Sequence, residues 1–170
     1  MTMIRRVGVG LTIFVAVFVA LCLWRNNLLA LGLPKDSELV ALFRTNREAF
    51  ERLRTMGMED SGSVFYLSED TLKQSPLSEA RRDEYARLMA FYPKLTLGLG
   101  SHQVTFGFAR GGVGLAIGQS WIKGITYLPD GYEKGCVMTK SLDDLGMRVS
   151  DGVYLVPIER NWYLIYSKLD

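Results

Sequence analysis

A chain of 170 residues has room for one compact domain and one targeting segment. Its 48% apolar and 22% charged content excludes wholesale disorder and fibrous repeats, and two cysteines with one histidine exclude a Cys/His metal framework. The formal charge of +2 is unevenly placed: residues 1–35 carry Arg5, Arg6, Arg25 and Lys35 and no acid, leaving 16 basic and 18 acidic groups in residues 36–170. The basicity belongs to the N-terminus, and the rest gives no electrostatic reason to invoke nucleic acid.

Residues 7–24 (VGVGLTIFVAVFVALCLW) contain no charge. As a helix they would reach about 27 Å, close to the hydrocarbon thickness of a bilayer. Arg5 and Arg6 precede the span, Arg25 follows it, and Trp24 stands where an interfacial aromatic anchor would lie. A cleaved signal peptide would need small residues before the cut, and Phe18 or Cys22 falls at those positions; a lipoprotein reading of Cys22 meets bulky Leu21. The span therefore reads as a retained signal-anchor, with cleavage as the alternative. The positive-inside rule puts residues 1–6 in the cytoplasm of a bacterial inner membrane. Residues 25–35 then form a tether, and residues 36–170 a single extracytoplasmic, periplasmic domain.

From Asp36 the pattern becomes that of an amphipathic helix of about 20 residues. Leu39, Phe43, Asn46, Phe50 and Leu53 form its inner stripe, Asp36 or Ser37 its cap and Gly57 its stop. A β-type run, Ser63–Leu67, follows. Ser75-Pro76 then opens a second helix through Leu77, Arg81, Tyr85, Leu88 and Tyr92, ended by Pro93, with the Arg81 stem snorkelling along the inner row. Beyond Pro93 the period drops to two. Leu95–Leu99, Val104–Phe108, Val113–Ile117 and Trp121–Leu128 predict an antiparallel meander, and Val153–Ile158 with Trp162–Tyr166 a closing hairpin turned at Glu159-Arg160-Asn161. The fold class expected is α+β: two amphipathic helices packed on one face of a sheet of five to six strands. The Gly, Ala and Thr of the other face allow a close backbone approach, strong curvature or a bare solvent face. Ser141-Leu142-Asp143-Asp144-Leu145 predicts a single helical turn ended by Gly146.

Candidate chemistry is sparse. Ser101-His102 lacks a neighbouring acid to orient the base, so His102 reads as a turn residue. Gly111-Gly112-Val113-Gly114 precedes a strand, where a phosphate loop requires a helix. Asp143 and Asp144 read as acids complementing a helix start, without the spacing of a calcium loop. Cys136 has no cysteine partner within residues 36–170, so no internal disulfide is available there and a small buried residue is the expectation. No catalytic residue, metal ligand or cofactor is assigned. The most suggestive feature is aromatic: Trp121, Tyr127, Tyr132, Tyr154, Trp162, Tyr163 and Tyr166 crowd the C-terminal half beside Lys123, Glu159 and Arg160. Aromatic residues alternate onto both faces of the last strand, so Trp121, Lys123, Tyr127, Glu159, Trp162 and Tyr166 are the expected partner-binding residues.

Lys123-Gly124-Ile125-x-Tyr127, Ser141-Leu142-Asp143-Asp144 and Ile158-Glu159-x-Asn161-Trp162-Tyr163-Leu164-x-Tyr166 resemble the C-terminal part of a group of small membrane-anchored envelope proteins of Gram-negative bacteria. The resemblance covers mainly residues 121–166. It implies a cell-envelope location and transfers no activity and no site residues. The expectation is a single-pass envelope protein acting as a non-enzymatic protein-binding module, with carbohydrate a lesser ligand. Two alternatives stand beside it. One is a toxin-immunity or inhibitor protein of the envelope; the other is a small hydrolase using His102 or the Asp143-Asp144 pair.

Overall fold

A computed structural model describes residues 33–100, 102–111, 120–131, 135–145 and 149–169. The apolar span 7–24, the strand expected over 113–117, Ser101, Tyr132 and Gly146 lie outside these described residues. No helix among them is long and apolar enough to cross a membrane. Pro34–Asp170 forms one compact unit.

The fold is α+β. Helices α1 (Asp36–Thr45) and α2 (Arg47–Asp60) are followed by β1 (Tyr66–Leu67), α3 (Glu69–Leu72) and α4 (Glu79–Met89). Six strands complete it: β2 (Thr96–Leu99), β3 (Val104–Gly111), β4 (Ser120–Tyr127), β5 (Cys136–Met138), β6 (Gly152–Glu159) and β7 (Trp162–Leu169). They form one seven-stranded sheet of order β1-β2-β3-β4-β7-β6-β5, antiparallel except for the parallel pair β5–β6. β3 pairs directly with β4, Gly111 opposite Trp121, so no strand from residues 112–119 stands between them.

The single helix expected from Asp36 is two helices. Asn46 leaves the helical region (φ −113°, ψ 28°), and its Nδ2 donates to the Leu42 carbonyl at 3.0 Å. A short amide side chain competes with the backbone ladder in this way, while the apolar stripe continues across the break. Nor is Gly57 a stop. Helix α2 runs on to Asp60, and Gly57 is the point where it lies closest to the sheet: a Cβ there would stand 2.8 Å from Leu99 Cδ2 and 3.3 Å from Val104 Cγ2. The cap of the later helix also moves. Ser78 Oγ accepts from the Arg81 amide, while Ser75 Oγ donates to the Leu72 carbonyl and closes α3.

Alternation along the strands sorts the two faces as the period of two requires. Leu97, Leu99, Val104, Phe106, Ile125, Trp162 and Leu164 join Leu39, Phe43, Phe50, Leu53 and Met56 in the main core beneath the helices. The connection between β5 and β6 adds Leu142 from the same side. The opposite face is not bare: Leu128, Leu155 and Ile165 form a second buried cluster with Cys136, Val153 and Tyr163. The small residues serve curvature. The β3–β4 register shifts between Gly107 and Ala109, and at that bulge Gly124 lies against the Phe106 carbonyl.

Candidate functional site

Trp162 opens β7 on the helix-covered face, opposite Tyr127. Its ring packs 4.9 Å from Phe43, 5.8 Å from Phe106 and 5.2 Å from Tyr127 between centroids, and its indole N–H donates to Glu51 Oε1 at 3.2 Å. Arg47 lies over both the Phe43 and Trp162 rings and pairs with Glu51 and Glu159. Tyr166, opposite Lys123, is buried and stacks on Trp121. Burial pushes its phenol pKa up and nearby Tyr154 adds to the shift, so the hydroxyl stays protonated.

These placements correct the expected partner surface. Trp162, Tyr166 and Lys123 are core residues, Trp121 and Tyr127 are half-buried, and Glu159 alone is exposed. The reason is directional. The alternation that puts aromatics on both faces of β7 sends Trp162 and Tyr166 under the helices, and Tyr163 to the second cluster. Truncating Trp162 would remove core packing worth about 3–5 kcal/mol, so its loss reads out folding before binding.

Lys123 lies on the same face of β4 as Ile125 and Tyr127, with 3% of its side chain exposed. A buried ammonium costs several kcal/mol unless it is paired. Its Nζ donates to Asp143 Oδ1 at 2.6 Å and lies 2.9 Å from Asp36 Oδ1. The two aspartates also cap one another's segments. Asp36 Oδ2 accepts from the Leu142 amide at 2.7 Å, the Asp143 amide at 3.3 Å and the Ser141 hydroxyl at 3.0 Å. The Asp143 carboxylate in turn accepts from the Asp36 amide at 3.1 Å. Burial alone would raise the Asp36 pKa; Lys123, the Leu142 amide and the Ser141 hydroxyl outweigh it and hold the carboxyl below its ordinary value. Residues 142–145 are a turn rather than the expected helical turn, and Asp143 complements the start of α1 instead of a helix of its own.

A second polar cluster joins α2 to α4. Arg81 Nε donates to Asp60 Oδ2 at 2.8 Å and its Nη2 to Glu59 Oε2 at 2.7 Å, while the Tyr85 hydroxyl donates to the same Asp60 oxygen at 2.9 Å. The guanidinium opposes its own desolvation through these carboxylates, and its pKa is raised. The Tyr85 phenol is pushed well above its usual value by burial and then by the Asp60 charge, which makes it a fixed donor. Both clusters hold elements together. His102 is exposed in the β2–β3 turn, and neither it nor Asp143 lines a cavity with the other. No group of three His, Cys, Asp or Glu side chains able to hold a metal occurs among the described residues.

The structure adds a site that the sequence did not point to. A groove of about 610 Å³ runs between α3, α4 and the segment leading into β2. Leu72, Met89, Tyr92 and Leu95 contribute its apolar lining, and Ala86 and Ala90 are exposed along α4. Glu69, Lys73, Glu79, Arg82, Asp83 and Lys94 supply charge around it. Lys94 adopts φ +64°, a left-handed conformation that a non-glycine residue holds at some cost. The one local signal for α3 is Ser68, whose Oγ accepts from the Thr71 amide, followed by Glu69 and Asp70 in the first turn. Comparison with protein-family models, curated proteins and solved structures returns no match.

Proposed function

We propose that this chain is a single-pass membrane-anchored envelope protein whose domain is a non-enzymatic protein-binding module, engaging its partner through the α3–α4 groove. The groove carries the reading. Its volume falls in the range of ligand clefts, about 300–1,000 Å³. An apolar lining within a ring of both charge signs is the pattern of a protein interface, with a dry centre and a polar rim. The charged groups elsewhere are engaged in holding the fold, as in Lys123–Asp36–Asp143 and Arg81–Asp60–Tyr85. The six around the groove enter no such pairs among the described residues, so they are free to meet a partner. The uncharged span 7–24, its arginine flanks and the resemblance to envelope proteins support the location.

Ala86 is exposed on the groove wall and contributes little to the core, so filling the groove there separates binding from folding. The Ala86→Trp variant of the full chain, solubilised from envelope membranes, is expected to recover at least about tenfold less of the cross-linked partner than wild type, with an unchanged melting profile. Equal recovery by the two chains would overturn the groove as the binding surface.

A further inference from the structure

We infer that α1 is a latched strap over the aromatic face of the sheet, hinged at Asn46 and held shut at its free end by Lys123. The helix has an unusual balance of attachments. Of its ten residues only Leu39 and Phe43 are buried, while Glu38, Ala41, Arg44 and Thr45 face solvent. Helix α2 buries Phe50, Leu53, Met56 and Gly57, and is tied to α4 through Arg52–Glu84, Arg81–Glu59 and Arg81–Asp60. Between the two helices stands one residue outside the helical region, Asn46, whose backbone and side-chain N–H groups both donate to Leu42. A single-residue break of this kind absorbs a rotation without disturbing either flanking helix.

At the other end the fastening is polar and specific. The Asp36 amide is held by the Asp143 carboxylate, the Asp36 carboxylate holds the amides of Leu142 and Asp143, and Lys123 closes the pair from below. The charged and titratable groups around this latch are Lys35 and Glu38 beside Asp36 on α1, Lys123 on β4, Tyr166 opposite it on β7, Tyr154 on β6, and Asp143 with Asp144 in the connection to β6. Beneath the strap, Phe43 rests on Trp162. Lifting α1 therefore removes the Phe43 cover from Trp162 and releases Lys123 from Asp36. A second, aromatic surface is thus gated by charge at the point where the N-terminal segment enters the domain. This goes beyond the groove and does not depend on it.

Hydrogen exchange of the full chain in detergent micelles tests the strap. In the wild type, amides of residues 36–45 are expected to exchange at least about tenfold faster than those of 47–60. In Asp143→Asn, which keeps the side-chain size and removes one charge of the latch, residues 36–45 gain about another tenfold while 47–60 and 162–169 stay unchanged. Exchange of 36–45 and 47–60 at one common rate in wild type would overturn the strap, by showing one cooperative unit. A variant with no added exchange in 36–45, or with equal acceleration of all three segments, would overturn the latch.

Discussion

Replacing Gly124 by alanine is expected to abolish the folded domain. Gly124 sits on β4 opposite Gly107, beside the β3 bulge, where a Cβ would stand 1.9 Å from the Phe106 carbonyl oxygen and 2.9 Å from its carbon. Both atoms are backbone, so no rotamer change relieves the clash. β3 and β4 would have to separate at the centre of the sheet, between the strands that carry Phe106 and Ile125. Losing that register costs ladder hydrogen bonds and the packing of two fully buried side chains, of order 4 kcal/mol or more, which is comparable with the whole stability of many domains. Circular dichroism of Gly124→Ala should show lost β signal or a melting point lowered by more than about 15 °C. A melting point within about 3 °C of wild type would contradict the close approach. Gly107→Ala is the control, because its Cβ meets the side chains of Thr96 and Ile122 rather than backbone, and these can shift.

The second large effect belongs to Lys123→Met. The methionine stem fills most of the lysine volume but leaves Asp36 and Asp143 facing one another without their shared cation. Removing one member of a buried charged set typically costs about 3–5 kcal/mol, because the remaining charges stay desolvated. Urea unfolding should report that loss. The triple variant Lys123→Met/Asp36→Asn/Asp143→Asn should recover much of it, since no charge is then left unpaired. A loss below about 1 kcal/mol in the single variant would show that the cluster contributes nothing to stability. Acid gives an independent check. The Asp36 pKa is lower in the folded chain than in the unfolded one, so its contribution is complete above the ordinary carboxylate range, near 4, and disappears as pH falls through the folded value. Wild type should lose stability across that descent, and Lys123→Met should lose less.

Local patterns were legible where one period decides the structure. The stripe Leu39–Phe43–Phe50–Leu53 marks a helical face, and the alternation of Leu97, Leu99, Val104 and Phe106 marks strands, because each is set by neighbours a few residues away. Gly57 shows the limit. A glycine after an apolar stripe serves equally as a stop or as room for a close approach, and the deciding partners, Leu99 and Val104, come from strands formed much later in the chain. Asn46 carried a signal, a side chain able to cap inside a helix, yet an unbroken stripe hides it. The three-residue β5 is too short for any period, and its parallel pairing with β6 depends on the connection between them.

The candidate site divides in the same way. Strand alternation put Lys123 and Trp162 on identifiable faces but not under a cover, since burial depends on which helix lies above. The latch needs Asp36, Lys123 and Asp143, three residues widely separated in sequence, and the aspartates read locally as helix starts. The groove needs α3, α4 and Lys94 together, and only the Ser68 cap announces the first of these.

Location decides what any binding surface can meet. The most direct measurement is protease accessibility of the full chain carrying a C-terminal tag in a Gram-negative host. An envelope-displayed binding domain predicts that the tag survives protease in intact cells and is lost in spheroplasts whose inner membrane is sealed. Survival of the tag in spheroplasts until detergent opens that membrane would place the domain in the cytoplasm and contradict the account.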